Sequence, residues 1–175
     1  MKYLVSRMKY EKEKRNDLKG QELPHVKQAL RVWNNFHSRV RNNINYSTVT
    51  ICDDWYRFSD FYYWYVENIV DGWHLDKDIL GGNEYSPSNC IFVPREVNQL
   101  FRKVPTSLST GVVVNHKGYQ AQATFDKKGH KFGTYPTIEE AHAAYVVGRK
   151  SYIYKISQQY KSFPKLSAIL LQKSK

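Results

Sequence analysis

Between Val26 and Asn42 the apolar residues Val26, Leu30, Val32, Trp33, Phe36 and Val40 mostly follow the helical period. Lys27, Arg31, Arg39 and Arg41 fall on the polar side. A second helix is predicted over Tyr56–Val70, with Asp53 or Asp54 as its N-cap. Its rings, Trp55, Phe58, Phe61, Tyr62, Trp64 and Tyr65, outnumber the places on one core face, and core packing is the first reading for them. Gly72 breaks the pattern. From Trp73 to Leu80 the order alternates, with Leu75, Lys77 and Ile79 against His74, Asp76 and Asp78, which predicts a strand. The turn-rich GGNEYSPSN follows, then a short apolar strand, Cys90–Val93. Pro94 opens a third helix, REVNQLFRK, with Val97, Leu100 and Phe101 as its buried positions.

The pattern changes after Pro105. TSLSTG reads as a linker or entry turn. Three strands are predicted over Gly111–Asn115, Tyr119–Phe125 and His130–Tyr135, joined by HKG and DKKG turns. Thr137 and Glu140 form a capping box, and the helix it opens sets Ala141, Ala144, Tyr145 and Gly148 against the sheet. The tail from Tyr152 is basic and partly helical. Residues 1–28, broken by Gly20 and Pro24, read as a charged arm or small appendage.

Charge sharpens this division. Residues 1–50 carry a net +7, residues 51–106 a net −4, and residues 107–175 a net +8, which make up the overall +11. Two basic segments around an acidic one suit a polyanion-binding protein that also holds a divalent cation near its middle. No apolar run is long enough to span a membrane, and the charged start does not read as a secretory signal. Cys52 and Cys90, without a CxxC partner, read as buried thiols of a reducing compartment, so a cytoplasmic location is expected.

The strand–loop–strand–helix unit places Asp76 on its first strand and Asn98 on its helix. If the unit forms, these two oxygens can converge on one hard cation, while Asn89 fixes the loop through backbone hydrogen bonds. Asp78, two positions from Asp76, is either a second ligand, an outer partner or a solvated surface group.

HLDKDILGGNEYSPSNCIFVPREVN resembles the HNH motif region of phage and intron-encoded endonucleases, and RVWNNFHSRVRNN…YSTVTICDDWYRFSDFYYWY resembles the segment before it. The likeness covers roughly residues 28–103. It implies a ββα-metal nuclease core with Mg²⁺ or Mn²⁺ held by Asp76 and Asn98 and with Asn89 structural. Lys77 stands where that family places its catalytic histidine. A lysine is protonated at neutral pH unless its surroundings depress it strongly; a metal ion would do so, while Asp76 and Asp78 oppose it. Lys77 as a fixed cation on the phosphorane and His74 as the base are the alternatives.

Alternation in YQAQATF puts Tyr119, Ala121 and Ala123 on one face and Gln120, Gln122 and Thr124 on the other. A sheet of this size fits the major groove, where glutamines can pair with adenine and Asn115, Lys117, Lys127, Lys128 and Lys131 can reach phosphates or guanine. GVVVNHKGYQAQATFDKKGHKFGTYPTIEEAHAAY resembles the DNA-binding domain of plant ethylene-response factors, which also occurs in phage HNH endonucleases. That implies reading of DNA by the sheet, although most arginines and tryptophans of the plant members are missing.

The expectation is therefore an α+β chain. It has a basic arm (1–27), an HNH-like nuclease domain with flanking helices (28–105), a three-stranded antiparallel sheet packed on one helix (106–157), and a basic tail (158–175). The expected function is a phage-type homing or free-standing endonuclease, monomeric and nicking double-stranded DNA in a bacterial cytoplasm, with Arg39 and Arg41 as further DNA contacts. The alternative is a degenerate, binding-only or inhibitory protein built from the same parts.

Overall fold

The computed structural model describes residues 13–101 and 108–175. The first twelve residues of the expected arm, Arg102 and Lys103 at the end of the third predicted helix, and Thr106 and Ser107 of the expected linker lie outside the described residues. The chain is mixed α+β and divides into two compact units, Met1–Arg95 and Glu96–Lys175.

Helix α1 spans Val26–Asn42, as the apolar spacing predicts. It buries Ala29, Trp33, Phe36 and His37, and Arg39 and Arg41 in its last turn complement the negative end of the helix dipole. Asn43 ends it and accepts from the Asn45 amide, opening a 3₁₀ turn at Ile44–Tyr46. Helix α2 runs over Phe58–Asn68. The expected caps Asp53 and Asp54 instead lie in a separate 3₁₀ turn, Asp53–Tyr56. The α2 end is served by Asp17, 42 positions upstream of Ser59, which accepts from the Ser59 amide at 2.9 Å and its hydroxyl at 2.7 Å. Burial opposes ionisation of Asp17, but the Ser59 bonds hold its carboxyl below the usual range. Arg15 bridges to Arg57 and Leu18 enters the core, so this stretch is an integral part of the first unit.

The aromatic residues do form the core. Phe36 stacks on Tyr85 with centroids 4.7 Å apart and meets Phe61 edge-on, while Trp55 contacts Phe61 and Trp64. Each such ring contributes on the order of 2–3 kcal/mol through removal of apolar surface from water. The buried Trp33 indole donates to the Trp55 carbonyl at 2.7 Å, and His37 Nε2 lies 3.0 Å from the same oxygen. A carbonyl only accepts, so Nε2 carries the proton. Burial depresses His37 to about 4, assisted by the Lys14 charge against the opposing Trp55 bond, and the ring is neutral at pH 7.

Strand β1 (Thr50–Ile51) pairs in parallel with β3 (Glu84–Tyr85), and β2 (His74–Asp76) pairs antiparallel with β4 (Ile91–Val93), Asp76 opposite Ile91. The β1–β3 pair was not expected. Strand β2 ends at Asp76, short of the predicted Leu80, so Asp78 lies in the turn beyond it and the alternation between these two carboxylates does not hold. Helix α3, Arg95–Phe101, follows β4.

In the second unit β5 (Val112–Asn115), β6 (Gly118–Phe125) and β7 (Lys128–Tyr135) form an antiparallel sheet in that order. Asp126 and Lys127, both at positive φ, make the two-residue turn that the DKKG sequence predicts. Residue pairing jumps from Ala121↔Gly133 to Gln122↔Lys131, so Phe132 is an extra residue in β7. Helix α4, Ile138–Gln159, starts at Thr137, whose hydroxyl accepts from the Glu140 amide at 3.2 Å. It covers the sheet through Ala141, Ala144 and Tyr145, against Val112, Tyr119, Ala121 and Phe132. Gly148 permits the approach, since a Cβ there would meet the Phe132 ring at 2.3 Å. The helix runs well past Tyr152, and α5, Pro164–Lys173, completes the chain.

Candidate functional site

Most of the residues singled out in the sequence fall in two places, one in each unit. In the first, Asp76 terminates β2 and its backbone turns at once. Its Oδ1 accepts from the Asp78 amide at 2.9 Å and the Ile79 amide at 2.8 Å, an Asx-type turn that sets the carboxylate direction. Asp76 is only 7% exposed. Burial raises its pKa, with the Asp78 charge adding to the rise, while the two amides and Lys77 oppose it. A buried carboxylate held in this manner would be stabilised by a cation.

Asn89 ties the intervening loop. Its Nδ2 donates to the Glu84 carbonyl at 2.8 Å and to the Lys77 carbonyl at 3.2 Å. The amide group fills the space beside Gly82, where a Cβ would stand 2.3 Å from Asn89 Oδ1. Further along, the Asn89 and Cys90 amides both donate to Ser86 O. The β1 strand holds the loop from outside, with Thr50 N donating to Asn83 O and Cys52 N to Tyr85 O.

Lys77 is folded inward. Its Nζ lies 2.6 Å from Asp78 Oδ1 and 5.6 and 5.9 Å from the ring centroids of Tyr46 and Tyr85, and it is 6% exposed. Asp78 is exposed, as is His74. Arg39, the other cation here, hydrogen-bonds Tyr46 and Tyr85; these bonds and charges raise its pKa against the lowering effect of burial. Burial, with Tyr46 adding to it, pushes the Tyr85 phenol well above its ordinary value. Sequence reasoning missed this Arg39–Tyr46–Tyr85–Lys77 cluster. Its only local signal is the tyrosine next to Glu84 inside an otherwise polar loop.

Cys90 is buried and its thiol is pushed up to about 12, chiefly by burial, so it stays protonated. Cys52 is half-buried, less covered than expected, and is also a free thiol. Asn98 lies on α3 within the second unit. Among the described residues no group of three or more His, Cys, Asp or Glu side chains is clustered to hold a metal ion. The candidate donors are carboxylate and amide oxygens, a set that suits Mg²⁺ or Mn²⁺ and not zinc.

The second surface is the open face of the three-stranded sheet. Pairing sets Gln120 opposite Val113 and Thr134, and Gln122 opposite Lys131, with Thr124 next along β6. Asn115 Nδ2 donates to Thr134 Oγ1 at 3.2 Å, and its Oδ1 accepts from the Lys117 amide at 2.8 Å. The structure thus brings Asn115, Gln120, Gln122, Thr124 and Lys131 to one face. Lys117 and Lys127 lie in the turns at opposite ends of β6, whereas Lys128 pairs with Phe125 and belongs with the helix-covered side. Phe125 stacks on Tyr152 with centroids 4.2 Å apart, which marks that side as the packed one.

Comparison with family models, curated proteins and solved structures returned no match. No helix among the described residues is long and apolar enough to cross a membrane.

Proposed function

We propose that the chain is a metal-dependent DNA endonuclease of the HNH type, in which the first unit cuts and the sheet of the second unit reads the duplex. The observation that carries this reading is the β2–loop–β4 unit: a buried carboxylate, Asp76, aimed by two backbone amides at the strand end, and a single amide, Asn89, clasping the loop that follows. With Oδ1 engaged, Oδ2 of Asp76 is the oxygen that would ligate Mg²⁺ or Mn²⁺; Asn98 is the further donor that the HNH resemblance implies. A bound cation would supply charge stabilisation at the phosphate and lower the pKa of a ligated water. Lys77 would act as a fixed cation toward phosphate once released from Asp78, and His74, exposed on β2, is the alternative proton acceptor. The polar face with Gln120, Gln122, Thr124 and Lys131 offers the donors and acceptors that base edges require.

The test is conversion of supercoiled plasmid by the full chain with Mg²⁺, with Mn²⁺ and with EDTA, beside Asp76→Ala. Metal-dependent nicking by the wild type and none by Asp76→Ala is the expected result. A single site per chain makes a nick the expected product of a monomer, acting in a bacterial cytoplasm as a phage-type homing or free-standing enzyme.

One observation favours a second reading, a binding-only protein derived from the same parts. Lys77, at the family's catalytic position, is buried and paired with Asp78. That reading requires metal-independent DNA binding and no cleavage with either cation, and this outcome would replace the enzyme reading.

A further inference from the structure

The outer face of α1 carries a regular row of three cations, an amide and a hydroxyl. At 3.6 residues per turn, Lys27, Arg31, Asn34, Ser38 and Arg41 fall within about 80° of the helix circumference. All five are exposed. The buried residues Ala29, Trp33 and Phe36 occupy the opposite side. Arg39 is about 160° from Arg41 around the axis, and it is taken up with Tyr46 and Tyr85. The two arginines grouped together in the sequence therefore lie on different faces of the helix.

Lys14 extends the row from outside the helix. Its Nζ is 2.5 Å from Asn34 Oδ1 and 4.8 Å from the centroid of the Trp33 ring. Burial and, after it, the Arg41 charge lower the Lys14 pKa, which places these two cations in one positive field.

Arg41 in the last turn suits the helix dipole, but the cations nearer the start of the helix do not serve its stability. None of its 17 residues is acidic, and its first turn, where the dipole favours Asp or Glu, presents Lys27. Lys27 and Arg31 are like charges at i and i+4, which weakens a helix by a few tenths of a kcal/mol. Lys27 and Arg31, kept against this local preference, fit an external polyanion. From Lys27 to Arg41 the row spans about 21 Å at the helical rise. One strand of duplex DNA places a phosphate about every 3.4 Å along its axis, so the row runs beside roughly six phosphates.

We infer that the Lys14–Lys27–Arg31–Arg41 face of α1 is a second DNA-docking surface, which tracks the sugar-phosphate backbone of duplex DNA without reading bases. This rests on the DNA-binding reading above but not on nuclease activity or on the sheet. It would hold DNA on the first unit through counterion release while the sheet supplies any sequence preference.

The experiment is fluorescence anisotropy of the full chain on a labelled duplex of arbitrary sequence over a salt series, with EDTA present. The variants are Lys27→Gln/Arg31→Gln/Arg41→Gln and the charge-keeping Lys27→Arg/Arg31→Lys/Arg41→Lys. Each contact contributes about 0.9 to the slope of log K against log salt, so the glutamine variant is expected to flatten it by about 2.7. The charge-keeping variant is expected to retain the wild-type slope. The Gln variant must hold the wild-type circular dichroism spectrum; should it fail to fold, the single variants Lys27→Gln, Arg31→Gln and Arg41→Gln read the same surface, each expected to flatten the slope by about 0.9 and each overturning the docking surface if the slope is unchanged. An unchanged slope in the glutamine variant, with wild-type DNA binding intact, overturns the docking surface alone. A slope equally flattened in both variants overturns its electrostatic basis. No duplex binding by the wild type overturns both this surface and the DNA-binding reading.

Discussion

Replacing Asn89 should loosen the candidate metal loop in a manner that depends on the sign of the replaced hydrogen-bonding group. One nitrogen, Nδ2, donates to both Lys77 O and Glu84 O. Asn89→Ala removes two bonds of about 1 kcal/mol net each and leaves two part-buried carbonyls to find water, a loss of about 2 kcal/mol. Asn89→Asp keeps the shape, but an ionised carboxylate is acceptor-only and would face two carbonyl oxygens. Its expected cost is larger, about 3 kcal/mol or more. In urea unfolding at pH 7, with a slope of about 2 kcal/mol/M, the alanine variant should lower the midpoint by about 1 M without changing the slope, and the aspartate variant by more. Gly82 supplies an independent check, since the three atoms nearest its added Cβ, at 2.3–2.5 Å, all belong to the Asn89 amide. Gly82→Ala should therefore destabilise the wild type yet cost little on top of Asn89→Ala, giving a coupling energy above about 0.5 kcal/mol. An Asn89→Asp protein as stable as wild type, or a Gly82→Ala cost identical in both backgrounds, would show that this amide does not clasp the loop.

Two further outcomes follow from groups away from that loop. His37 is depressed from 6.5 to about 4 in the folded chain, so between these values the unfolded state binds more protons. Its contribution is present in full above pH 6.5, is lost as pH falls toward 4, and amounts to about 3 kcal/mol. Urea unfolding at pH 7, 5.5 and 4 on wild type and His37→Gln should show a fall that is steeper in the wild type by this amount. A parallel pH dependence in both proteins would refute it, and because Asp76 is raised and acts in the opposite sense on acidification, the difference between the two proteins is the quantity to read. Gly148→Ala gains about 1 kcal/mol of helix propensity, but its Cβ meets the Phe132 ring, an overpacking of about 1–3 kcal/mol. Thermal unfolding should show a net loss in the wild type and a net gain in the Phe132→Ala background; stabilisation in both would mean that α4 is not held close at this point.

Local signals in the sequence located most of the elements. The apolar spacing of α1 and the DKKG turn each encode their own geometry within a few residues, and the structure follows them closely. What escaped is non-local. The Asp17 cap on α2 joins positions 42 apart, and β1 joins β3 from across two helical segments, in strands of two residues each that carry no periodic signal. At the candidate site, the strand–loop–strand pattern and the HNH resemblance marked Asp76 and Asn89, since a carboxylate at a strand end and an amide across a turn-rich loop are local patterns. The inward fold of Lys77 was not legible, because it depends on Tyr46 and Tyr85, which approach it from separate parts of the chain.

The extra residue in β7 has a consequence for tracing this sheet through related sequences. A regular strand sends positions three apart to opposite sides, yet Lys131 and Thr134 both join the glutamine face because Phe132 absorbs the odd step. The strand is thus two segments with opposite parity, 128–131 and 133–135, joined by a one-residue phase slip. A sequence lacking that residue would turn one of the segments over and exchange its open-face positions for helix-facing ones. Substitutions in β7 are therefore comparable between relatives only when each segment is aligned from its own β6 partner, with Gln122 anchoring the first and Ala121 the second.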